Sequence, residues 1–129
     1  MSLIKMFCKE NNIDRKIVLK LFNILNNISK AKKDNCLLIQ SIFKDCILSG
    51  TIKKEVESLL IYLNNILSNK YFEYKDFNFI CEICPCLSFK IATYLRLSIK
   101  ETKKSLHINK ILVNDLINTI ILQSKKYPF

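Results

Sequence analysis

A single glycine, Gly50, and two prolines, Pro85 and Pro128, punctuate 129 residues, while apolar side chains recur at intervals of three and four. Sheets built from short strands need turn signals about every 8–12 residues, and this chain does not supply them. Helices propagate without such breaks. Hydrophobic residues make up 50% of the sequence, which excludes general disorder. A chain of this length is one domain's worth and removes about two-thirds of its unfolded surface from water, enough to fold without metal or disulfides. The expected fold is all-α, a single compact bundle of six or seven amphipathic helices spanning residues 1–129, with no linker, repeat or domain boundary.

The helices follow from the period. A short one over 2–10 opens the chain. In "DRKIVLKLFNILNNISKAKK" (14–33), Ile17, Val18, Leu21, Ile24, Leu25 and Ile28 share a stripe opposite Lys16, Asn23, Asn27 and Lys30, with Asp14 as the N-cap. Residues 34–49 place Ile39, Ile42, Phe43, Cys46 and Ile47 on one side. Gly50 stands where a left-handed residue would end that helix, and Thr51 where the next could be capped. Over 52–68, Val56, Leu59, Leu60, Leu63, Ile66 and Leu67 point inward, and Asn69 ends the run. Residues 86–104 read as one helix with Leu87, Ile91, Leu95 and Ile99 four apart, after Pro85 in its first turn.

The last helix, 109–124, spreads Leu112, Val113, Leu116, Ile117, Ile120 and Ile121 over an arc of roughly 180°, wider than the ~100° stripe a surface helix needs. Either it is wedged between neighbours or it leaves apolar area, at Ile117 and Ile121, for another chain. Leu19, Ile61 and Tyr62 also fall off their helices' inward faces. Between the fourth and fifth helices, "KYFEYKDFNF" supplies five aromatics in ten residues. With no partner strand visible, it reads as a connection running into a short helix from Asp76. Its rings, Tyr71, Phe72 and Tyr74 among them, either seal one end of the bundle or form a docking surface.

"FICEICPC" (79–86) brings Cys81, Cys84 and Cys86 together in a chain with six cysteines and one histidine. Structural zinc takes four ligands, usually as two short-spaced pairs. Here the second pair is missing, and only His107, in the linker "KKSLHINK", or Cys8, Cys36 or Cys46 could complete a set. A redox role for "CEIC" is open because a helix N-terminus lowers a thiol's pKa, but the alternating strands and helices of a thioredoxin-like unit are absent. The remaining reading is packing, with cysteines as small hydrophobes in an alanine-poor core. No metal or other cofactor is expected. With one histidine, one glycine and eleven carboxylates lacking a D-x-D or E-x-x-E pair, hydrolase, phosphate-cradle and acid-base constellations are all missing.

The net charge is +10, with +6 in residues 1–33, +6 in 88–129 and −2 between. Part of that basicity is codon bias. Twenty isoleucines, nineteen lysines and thirteen asparagines against two alanines and two arginines point to an A/T-rich genome, for which a large DNA virus, a parasite or a low-G+C bacterium would serve. In the expected 86–104 helix, Arg96, Lys100 and Lys104 stand at i, i+4 and i+8, with Lys90 and Lys103 nearby. Like charges on one stripe repel by a few tenths of a kcal/mol per pair, and an anionic partner such as nucleic acid would relieve them.

No signal peptide, lipidation motif or ~20-residue apolar span appears, so a soluble, intracellular, cytoplasmic protein is expected, in host cytoplasm if viral. In size and helix count the chain resembles several compact interaction folds, among them the small Bcl-2-like helical proteins of large DNA viruses. The resemblance is architectural: the Asn-Trp-Gly-Arg motif of cellular members is missing, there is no tryptophan, and no residue is carried over. The leading expectation is a non-enzymatic module that sequesters a protein partner in an apolar groove. A basic nucleic-acid accessory protein is the alternative, and a cysteine-based metal or redox protein the third reading.

Overall fold

The computed structural model describes residues 2–10, 12–28 and 32–126, with side chains over the same residues except 2–4, 7, 28, 32–34 and 121–126. Among these, eight helices follow one another: α1 (Ser2–Glu10), α2 (Arg15–Ile28), α3 (Lys32–Leu48), α4 (Lys53–Leu67), α5 (Tyr74–Ile83), α6 (Pro85–Tyr94), α7 (Ile99–Ile108) and α8 (Val113–Lys126). Two short strands, β1 (Tyr71–Phe72) and β2 (Ile111–Leu112), pair antiparallel with Tyr71 opposite Leu112 and Phe72 opposite Ile111. The fold is all-α apart from this clip.

α3 is central, touching α1, α2, α6 and α8, while α2 lies along α4 and α5 packs on α4, α6 and α7. The core between them is fully buried at Leu21, Leu25, Ile39, Leu59, Leu60 and Phe77. Each such side chain, removed from water, stabilises the fold by roughly 1.5–3 kcal/mol before conformational entropy is counted.

The helix ends show how local chemistry cuts the chain. α1, α3 and α6 all stop in the same way, with a left-handed residue just past the end and two reversed hydrogen bonds. Asn12 (φ 54°), Gly50 (φ 68°) and Arg96 (φ 61°) hold that position. The amides of Ile13, Thr51 and Leu97 then reach back to the carbonyls of Cys8, Cys46 and Ala92. Asp14 caps α2 as expected, accepting the Lys16 amide at 2.9 Å.

Four expectations are corrected. The helix expected over 86–104 is two helices, so there are eight rather than six or seven. Arg96 closes α6, and Ser98 opens α7 with a reciprocal cap in which its Oγ accepts the Glu101 amide at 3.1 Å and Glu101 Oε1 accepts the Ser98 amide at 3.1 Å. The aromatic connection contains β1, whose partner β2 lies in what was expected to be the start of the last helix; α8 begins only at Val113. α5 starts at Tyr74 because Asp76 sits in its first turn and accepts the Glu73 amide at 2.9 Å. Thr51 does not cap α4. Its hydroxyl donates to the Ile83 carbonyl at 3.1 Å and ties the α3–α4 turn to the end of α5.

Candidate functional site

Pro85 is the origin of the site. It bars helical backbone at the residue before it, and Cys84 accordingly takes φ −140°, ψ 80°, ending α5 and serving as the N-cap residue of α6. The chain kinks there, and the open side of the kink faces the end of α3 and the first turn of α7. The result is an open cleft of about 730 Å³. Leu48, Pro85, Phe89, Tyr94 and Ile99 give it apolar walls, and Cys81 and Cys86 add two half-buried thiols.

Asp45 and Lys90 supply the charged groups in this lining. Lys90 Nζ lies 2.9 Å from Asp45 Oδ1 and donates to Ser41 Oγ at 2.7 Å. The Asp45 side chain is only 3% exposed, and its second oxygen, Oδ2, is buried with no hydrogen-bond partner. Burial pushes the Asp45 carboxyl above the ordinary carboxylate value, and the Lys90 hydrogen bond and charge oppose that rise. A half-satisfied carboxylate is costly in a low-dielectric setting. Asp76, a second buried aspartate, avoids the cost: Oδ1 accepts the Tyr62 hydroxyl at 2.9 Å and Oδ2 the Glu73 amide. Burial, and then the bond to Asp76, push the Tyr62 hydroxyl up to about 12.

The cysteines of "FICEICPC" divide between two environments. Cys84 is fully buried, with its sulfur 3.6 Å from Ser49 Oγ, and Ser49 Oγ also accepts the Cys86 amide at 3.0 Å. The interaction of the buried Cys46, from α3, with Cys84, and then burial, raise the Cys46 thiol, while the same interaction lowers Cys84. Cys81 and Cys86 line the cleft instead. His107 is not in a linker but in the last turn of α7, where its ring stacks on Tyr74 at 3.8 Å. Among the described residues no three histidine, cysteine, aspartate or glutamate side chains converge as a metal set, so Cys81, Cys84, Cys86 and His107 are not brought together as ligands.

The basic stripe is corrected as well. Lys90 is half-buried against Asp45, and Arg96 sits in the turn between helices, so neither shares a helical face with Lys100 and Lys104. Lys100, Lys103 and Lys104 remain together on α7, with Lys103 half-buried. Of the aromatic candidates, Phe72 is 1% exposed and packs edge-on against Phe77, so it seals the core and offers no docking face. Tyr74 is half-buried under His107, whereas Tyr71 is exposed between Lys70 and Lys110. Ile117 is 7% exposed, so at this position α8 is wedged between neighbours rather than left open; Ile121 lies outside the residues whose side chains are described.

No family model matches the chain, and no curated protein or solved structure matches it either. Its function is therefore argued from the cleft.

Sequence reasoning missed Asp45 and gave Lys90 the wrong surroundings. The signal was a charge beside Cys46 on the apolar side of α3, since an aspartate within a buried stripe calls for a cation from elsewhere. Phe89 was missed too, although it breaks the register of Leu87 and Ile91 and stands 67% exposed.

Proposed function

We propose that the protein is a non-enzymatic, intracellular binding module that holds an apolar segment of a protein partner in the cleft between α3, α5, α6 and α7. The observation that carries this reading is the pairing of a ligand-sized apolar recess with exposed apolar residues at its mouth. A volume of about 730 Å³ falls in the range of recognition pockets, which run from roughly 300 to 1,000 Å³. Phe89 and Leu48, 67% and 75% exposed, line it, and Ile47 and Ile52, on either side of the α3–α4 turn, are exposed as well. Large exposed apolar side chains at a recess mark interaction sites. Mechanism follows from chemistry: the charged pair in the lining is internally neutralised, so the cleft suits occupancy rather than proton transfer.

The test uses helical peptides selected from a displayed library on the wild-type protein. Their affinity should fall by tenfold or more on Phe89→Glu and change little on Lys100→Glu/Lys104→Glu. It should also hold between about 0.1 and 1 M sodium chloride, where exposed charge pairs are screened away. Peptides that ignore Phe89→Glu but are released by salt would overturn the reading and favour anion binding through α7.

A further inference from the structure

One residue of the cleft lining carries a buried polar atom that the fold itself leaves unanswered, and that atom states what the occupant must bring. Asp45 Oδ2 is buried, belongs to a residue lining the cleft, and has no hydrogen-bond partner, while Oδ1 of the same carboxylate is taken by Lys90. An orphaned acceptor on a residue that lines a largely apolar recess is satisfied by a donor from the ligand. Resting on the cleft reading above, we infer that the partner segment inserts a tyrosine or tryptophan whose neutral O–H or N–H donates to Asp45 Oδ2.

Three observations narrow the donor to that class. The first is charge. Lys90 already sits 2.9 Å from the carboxylate, so a second cation would place an uncompensated charge in an apolar cleft and add to a chain of net charge +10. An unpaired buried charge is strongly disfavoured, which excludes lysine and arginine as the anchor. The second is the lining. Leu48, Pro85, Phe89 and Ile99 offer the donor's carrier apolar surface, and tyrosine and tryptophan combine a large apolar body with a polar tip, as anchors at interfaces commonly do. The third is internal precedent. A second buried aspartate, Asp76, is completed by this chemistry from within, through the Tyr62 hydroxyl at 2.9 Å, with the Tyr62 ring stacked on Phe79 at 4.0 Å. Asp45 lacks such a ring. Oδ2 itself is buried; the carboxylate torsion of aspartate is broad, and rotation about it presents Oδ2 to the incoming donor.

Side-chain analogues test this on the full chain. Amide resonances of ¹⁵N-labelled protein are followed while p-cresol, 4-methylanisole, toluene and 4-methylbenzylammonium are titrated separately. The expected result is displacement of the Cys81, Phe89 and Thr93 amides, with p-cresol bound tenfold or more tightly than 4-methylanisole or toluene, and the ammonium ion weakest. In Asp45→Leu/Lys90→Met, which removes both charges together, the preference for p-cresol should vanish while toluene still binds. Equal binding of p-cresol, 4-methylanisole and toluene to the wild-type cleft would overturn the donor while leaving an apolar groove in place. No displacement of cleft amides by any probe would overturn the cleft reading and this inference with it.

Discussion

At the scale of single residues, the chain's one glycine and one of its two arginines do the same work. Gly50 and Arg96 both occupy left-handed backbone beyond a helix end, at φ 68° and 61°. Glycine reaches that region without steric cost, whereas a residue with a Cβ loses roughly 1–2 kcal/mol there. Gly50 was legible in the sequence for that reason. Arg96 was not, because nothing about arginine announces a turn, and the four-residue register of Leu87, Ile91, Leu95 and Ile99 ran straight through it. Arg96→Gly should therefore stabilise the protein by about 0.5–1 kcal/mol, the relief of backbone strain less the extra entropy glycine gives the unfolded chain. Urea unfolding checks this: the midpoint should rise with an unchanged slope, and a fall would mean that the arginine side chain contributes more than its backbone costs.

Elements are delimited by pairs of signals, and the division between α6 and α7 shows why half of a pair misleads. The Ser98–Glu101 cap is written in the sequence as S-x-x-E, yet it lies inside an uninterrupted apolar period and was overridden by it. Leu95 and Ile99 keep the period because both still pack, half-buried, against the core, one just past the end of α6 and the other at the start of α7. Ser98 Oγ accepts one amide of the first turn of α7, and Glu101 Oε1 accepts the amide of Ser98 itself. Ser98→Ala should cost about 1 kcal/mol, and Glu101→Ala less, since the carboxylate is exposed. The double variant should cost less than the sum of the two, because each partner loses its role once the other is gone. Strict additivity in a double-mutant cycle would mean that the two hydrogen bonds of the cap act independently of one another. The β1–β2 clip was illegible for a different reason: two residues per strand carry no period, and the partners Phe72 and Ile111 meet only after three helices have intervened.

For the molecule as a whole, what was legible was the helical class and most core positions, because burial follows a local period. The cleft was not, because it requires α3 and α6 to meet, and Ser41 and Lys90, which hydrogen-bond there, stand 49 residues apart. Charge also acts at this scale. Twenty-one cations face eleven anions, and two of the lysines, Lys75 and Lys110, share the single carboxylate of Glu73. With cations outnumbering anions by ten, repulsion outweighs attraction as the chain compacts. Self-repulsion of this kind destabilises the folded state, and salt removes it as the Debye length falls from ~30 Å at 0.01 M to ~3 Å at 1 M. Stability should accordingly rise with sodium chloride, by about 1 kcal/mol or roughly 3–5 °C in Tm over that range. Chloride at these concentrations also alters apolar hydration, so the slope needs a charge variant beside it. Lys16 and Lys20, exposed on α2 one turn apart, are suited to this. Lys16→Glu/Lys20→Glu lowers the net charge by four and should raise Tm at low salt while flattening the salt dependence. An unchanged slope in that variant would locate the salt effect in apolar hydration rather than in the charge of the chain.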